Sequence, residues 1–164
     1  MSESLAPAVV YDVNVFVNAV VGADSEWPYL ARLPPATGNA DADCLSVAFD
    51  AEEFSLCTSL HILENVARVL RSFGWSHRSV EEYVDALAEL VETSGGKVLD
   101  PDRRVFDVPD FEDNLILDVA VASDALIVVS DDTDLTSMSP WNQRIAILRP
   151  RDFIRRIVQQ RRGR

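Results

Sequence analysis

Short apolar runs that alternate with stretches of helical period constrain this chain most. The runs are Val9-Val10-Tyr11, Phe54-Ser55-Leu56-Cys57, Lys97-Val98-Leu99, Ala125-Leu126-Ile127-Val128-Val129 and Ile145-Ala146-Ile147-Leu148. Such runs are too short for buried helices and read as strands. Strands separated by helices must pair in parallel through crossovers, with helices covering both faces of the sheet. The chain is therefore expected to be α/β, with a central, mainly parallel five-stranded sheet in three layers. Acidic residues follow four of the runs: Asp12, Glu64, Asp113 and Asp132. In an open parallel sheet, the residues just past the strands line the ligand crevice.

The helices between the runs carry their own signals. From Ser59 to Phe73, apolar residues at 60, 63, 66, 67 and 70 repeat at helical period, and Gly74 supplies a stop. Similar reasoning predicts helices from Val13 to about Gly22, from about Leu45, over Arg78–Val91, from Asp110 along the face Leu115, Ile116, Val119 and Ala120, and over Arg151–Gln160. Between them, Trp27–Leu33 reads as a short amphipathic piece within an acidic, Pro- and Gly-containing region at 23–53. Apolar residues make up 48% of the 164, enough for one packed domain spanning 1–164. No apolar stretch approaches the roughly 18 residues of a membrane span, and the N-terminus lacks the basic region of a secretory signal, so a cytoplasmic location is expected. Cys44 and Cys57 have neither metal-ligand spacing nor a disulfide framework and read as reduced structural residues.

Net charge is −12, which opposes binding to nucleic acid. Its distribution is uneven: residues 144–164 carry +7 and residues 1–143 carry −19. The Arg-rich segment from about 150 to 164 is either a polyanion-facing tail or a solvated helix end whose cations complement the macrodipole.

Each acid taken alone has an ordinary structural reading. Asp12 would cap a helix, Asp110 and Asp113 would form a capping pair, Glu64 would pair with Arg68 one turn on, and Asp131, Asp132 and Asp134 would form an exposed turn. Convergence changes this, because two carboxylates about 5 Å apart repel by roughly 3 kcal/mol at an effective dielectric near 20. A divalent cation relieves that repulsion, and oxygen-only ligation selects Mg²⁺ or Mn²⁺ over zinc. His61 and His77 share no ligand spacing with a second His or Cys and are expected to be partly exposed helix and loop residues.

Four segments together carry a family resemblance: YDVNVFVNA at 11–19, SLHILENVARVL at 59–70, DFEDNLILDVA at 110–120 and VVSDDTDL at 128–135. In this order they resemble the four acidic motifs of the PIN domain, with Val13 standing where the family usually has Thr. The resemblance implies a PIN-like fold and a Mg²⁺- or Mn²⁺-dependent ribonuclease, most often the VapC-like toxin of a type II toxin–antitoxin pair. It implies catalytic and metal-binding roles for Asp12, Glu64, Asp113 and Asp132, with Asn14, Ser130 and Asp134 supporting them. Its implied partners are an RNA substrate, an antitoxin protein and a second copy of the chain; Trp27, Tyr29 and Trp75 are candidates for that dimer interface or for the core. An inactive PIN-fold interaction module is the alternative. An aspartyl-nucleophile phosphatase would need a second acid where Asn14 stands. No aromatic stacking platform for RNA is legible in the sequence.

Overall fold

The computed structural model describes residues 6–21 and 39–163. The elements run β1 (Ala8–Tyr11), α1 (Val13–Asn18), α2 (Ala40–Phe49), β2 (Ser55–Ser59), α3 (Leu60–Ser72), α4 (His77–Thr93), β3 (Val98–Leu99), α5 (Phe111–Ala122), β4 (Ile127–Val129), α6 (Thr133–Thr136), β5 (Ala146–Leu148) and α7 (Pro150–Arg162). The five strands form one sheet in the order β3-β2-β1-β4-β5, and every pairing is parallel. The expected architecture is present, with a sheet parallel throughout. Consecutive strand residues face opposite sides, and Val9, Val10 and Tyr11 are all buried, so both faces of β1 are covered.

Chain order places the site. From β1 the chain builds β2 and β3 to one side, then returns to add β4 and β5 on the other. The switch point therefore lies between β1 and β4, and the crevice opens beyond their C-terminal ends. Asp12 follows β1 directly, and Ser130 follows β4.

Aromatic packing ties the sheet to its helices. Tyr11 lies 5.7 Å from Phe16 of α1 and 5.8 Å from Phe153 of α7, ring centre to ring centre, and its hydroxyl donates to the Cys44 carbonyl of α2 at 2.8 Å. Tyr83 of α4 donates to the Phe16 carbonyl at 2.6 Å, so both buried phenols are satisfied. Both cysteines are buried and unbridged. Gly96 is obligatory at the approach to β3, since a Cβ there would lie 1.7 Å from the Leu56 carbonyl oxygen.

One boundary is revised, and packing decides the alternatives left open for Trp75 and for the Arg-rich segment. The second helix starts at Ala40 rather than near Leu45, because Asn39 caps it by accepting from Ala42 N. Trp75 packs against the core and lies 6.1 Å from Tyr83; Gly22, Trp27, Tyr29 and the Trp27–Leu33 piece lie outside the described residues. The Arg-rich C-terminal segment is no free tail: it forms α7, which buries Phe153 and Ile157, and Arg161 turns back to Glu53 and Asp50. Arg151, Arg155, Arg156 and Arg162 remain exposed on that helix. No helix among the described residues is long and apolar enough to cross a membrane.

Candidate active site

Three helix starts bring the acids to the crevice. Asp12 is the N-cap of α1 and accepts from Val13 N at 2.7 Å. Asp132 is the N-cap of α6 and accepts from Asp134 N at 2.9 Å. Asp110 caps α5, which leaves Asp113 in that helix's first turn, where unpaired backbone N–H groups favour negative charge. The capping roles expected of isolated acids are thus real for Asp12 and Asp110, Asp132 caps a helix where an exposed turn was expected, and all three roles are compatible with a site. Asp12, Asp113 and Asp132 all line one cleft of about 360 Å³.

Ser130 joins the two strand ends. Its buried hydroxyl donates to Asp12 Oδ2 at 2.6 Å and accepts from Asp132 N at 2.9 Å. Asn14 also reaches Asp12 Oδ2, at 3.3 Å, and its carbonyl accepts from Asp131 N. Asp131 points instead to Asn18 and to Asp41, whose carboxyl is pushed up to about 8 by burial and by Asp131 itself. Ser130→Ala should therefore leave Asp12 and the Asp132 amide each short of a partner. We expect a loss of about 1–2 kcal/mol in urea unfolding, and an unchanged midpoint would show that water replaces the hydroxyl.

The carboxylates are under electrostatic load. Burial is the main cause that pushes Asp113 up to about 7, helped by the charges of Asp132, Asp110, Asp12 and Asp134. Asp12 is also raised, by burial first, although its bonds from Ser130 and Val13 oppose the shift. Asp113 Oδ2 is buried with no hydrogen-bond partner among the described residues. A buried carboxylate oxygen without a partner is costly, and a cation is one way to satisfy it. Among the described residues, no three His, Cys, Asp or Glu side chains are gathered into a ready-made metal cage.

Glu64 is not brought to this cleft. It is exposed on α3, and its neighbour Asn65 lines the cleft in its place. One residue along a helix is a rotation of about 100°, so packing Ile62, Leu63, Val66 and Leu70 inward turns Asn65 to the crevice and Glu64 to solvent. The expected Glu64–Arg68 pair is also replaced: Arg68 donates through Nε and Nη2 to Asn65 Oδ1 at 3.3 and 3.2 Å. The fourth acid lining the cleft is Glu112 of α5, whose Oε2 receives the Asn65 amide and lies 2.8 Å from His61 Nε2. With a proton on Nε2 His61 donates to Glu112, and without it Nε2 accepts from Asn65 Nδ2 at 3.0 Å. Asn65, Arg68 and Glu112 were missed in the sequence; the signal available was their helical phase relative to the buried stripe.

The profile of the PIN domain family matches residues 8–134, a span holding Asp12, Asp113 and Asp132. The chain belongs to the PIN domain family. PIN domains are generally nucleases, and the position of the cleft at the β1/β4 switch point agrees with that assignment. No curated protein matches the chain.

Proposed function

We propose that this PIN domain is a Mg²⁺- or Mn²⁺-dependent endoribonuclease and the VapC-like toxin of a type II toxin–antitoxin pair. The observation that carries the nuclease reading is the buried, unpartnered oxygen of Asp113 in a cleft shared with Asp12 and Asp132. The donor set fits a hard cation. Mg²⁺ is commonly held by one or two carboxylates and several waters, so a complete protein cage is not required. Asp12, Asp113 and Asp132 would hold it, with Asp134 adding negative charge nearby. Glu64, exposed on the far side of Asn65, is left out of the proposed set. When bound, such an ion activates water near neutral pH and offsets charge developing on a phosphodiester.

The protein's own contribution is orientation. Ser130 and Asn14 hold the Asp12 carboxylate from two sides, and Ser130 also fixes the start of α6 that carries Asp132. The toxin role rests on the resemblance of the motifs, and with it go an antitoxin partner, a homodimer and a cytoplasmic setting for the single domain. The exposure of Glu64 favours a second reading, a PIN-fold interaction module without activity.

Cleavage separates the two. Purified protein should cut structured RNA with Mg²⁺ or Mn²⁺, stop in EDTA, and lose activity in Asp12→Asn. A folded, antitoxin-free protein that cuts no RNA with either metal would leave the interaction module standing.

A further inference from the structure

The cleft has a second wall that the carboxylate chemistry does not use. Asn65, Arg68, Val69 and Phe73 follow one another along α3 at helical spacing, and all line the cleft. Arg68 is the one basic residue lining it among the described residues. Its guanidinium is held by Asn65 Oδ1, and Asn65 is held in turn by Glu112. Nη1 of Arg68 makes no hydrogen bond among the described residues, which leaves that edge for an anion.

Phe73 is 60% exposed; of the three exposed phenylalanines among the described residues, Phe106 and Phe111 lie beneath the Arg103 guanidinium, whereas Phe73 lines the cleft. Its placement has a local cause. Gly74, at φ 89°, ends α3: Gly74 N bonds to Arg71 O and Trp75 N to Leu70 O. This Schellman closure sends Trp75 back onto the core and leaves Phe73 at the cleft rim. Arg68 and Phe73 are five residues apart, roughly 7.5 Å along the helix axis. Within one cleft there is thus a fixed cation near the carboxylates and an open aromatic face further out.

We propose that this wall binds an unpaired nucleotide of the RNA substrate, its phosphate against Arg68 and its base stacked on Phe73. The inference rests on the nuclease reading and names the two side chains of this chain that would contact its substrate. Charge favours this occupant: Arg68 is the one cationic side chain among the described residues lining the cleft, so it draws a phosphate to this wall. A base paired within a duplex cannot offer its face to Phe73, whereas an unpaired base can.

The experiment measures binding of a fluorescein-labelled single-stranded oligoribonucleotide and of its duplex by anisotropy, with Ca²⁺ in place of Mg²⁺, using the full chain. Wild type should prefer the single strand. Phe73→Ala and Phe73→Leu should each weaken single-strand binding roughly tenfold and erase the preference, while Phe73→Trp keeps it. Arg68→Ala should weaken binding to the single strand and lower its salt slope by about one. Phe73 is at the surface, so these variants should melt like wild type. Equal binding by wild type and Phe73→Ala, or no preference for the single strand, overturns the inference. Cleavage by the same preparations with Mg²⁺ keeps the two readings apart. Cutting by wild type that is lost in Asp113→Asn, together with unchanged Phe73 variants, sinks the wall alone; no cutting by wild type sinks the nuclease reading and the wall with it.

Discussion

Asp113→Asn is expected to lower metal-dependent RNA cleavage by about 10³-fold while making the metal-free protein more stable near pH 8. The two effects have one origin. Asp113 is a buried carboxylate with an unpartnered oxygen, surrounded by Asp132, Asp110, Asp12 and Asp134. Its pKa is raised from the usual 3.8 to about 7, so the folded protein holds this proton more tightly than the unfolded chain. The stability contributed by that proton is full below the unfolded value and is lost as pH rises through about 7. Asparagine carries no charge at either end of this window. In EDTA, the variant should therefore gain on wild type between about pH 4 and 8, read by urea unfolding at both limits. A gap independent of pH would overturn the electrostatic account. Added Mg²⁺ should stabilise wild type and not the variant, because an ion that binds only the folded state raises its stability by mass action. Glu64→Gln, on the exposed side of α3, should leave cleavage within about twofold of wild type.

Arg161→Ala is expected to destabilise the protein by about 2–3 kcal/mol. Arg161 Nε donates to Glu53 Oε1 at 3.0 Å, and Nη2 reaches Asp50 and the Val47 carbonyl at 3.3 Å, which joins α7 to the end of α2 and the approach to β2. The Glu53 side chain is only 4% exposed, so removing its cation leaves a buried carboxylate poorly compensated. Such losses run to about 3–5 kcal/mol for fully buried pairs, and the partial exposure of Arg161 lowers the expectation. Burial by itself would raise the Glu53 pKa, but the Arg161 hydrogen bonds and charge outweigh it and hold the group below its usual 4.5. This pair therefore stabilises above about pH 4.5 and is lost on acidification, opposite in sign to Asp113. Arg161→Ala should flatten the acid limb of the stability profile, and adding Glu53→Gln should recover part of the loss. A midpoint equal to wild type would show that the pair contributes nothing.

Both results bear on how the chain handles its charge. As the sequence is read, the Arg-rich end of an acidic chain looks available either to a polyanion or to solvent as a helix end. In the fold, Arg155 pairs with Asp152 and Arg161 with Glu53 and Asp50, and the helix that carries them buries Phe153 and Ile157. Deleting residues 155–164 would therefore remove core contacts together with charge.

Element order, parallel pairing and the positions of Asp12, Asp113 and Asp132 could be read from the amino-acid sequence. Each depends on local facts: apolar run length, helical period, and an acid at the first turn or cap of a helix that follows a strand. What the sequence left open was every choice that turns on how a helix is rotated about its axis. Whether Glu64 or Asn65 faces the crevice is a matter of about 100°, and the packing of Ile62, Leu63, Val66 and Leu70 beneath α3 decides it. The same rotation brings Arg68 and Phe73 to the cleft and lets Glu112, from a helix 47 residues later in the chain, meet Asn65. Arg161 and Glu53, 108 residues apart, meet only because α7 packs on α2. Periodicity along the chain specifies which residues share a face, and only the surfaces of neighbouring elements specify what that face meets.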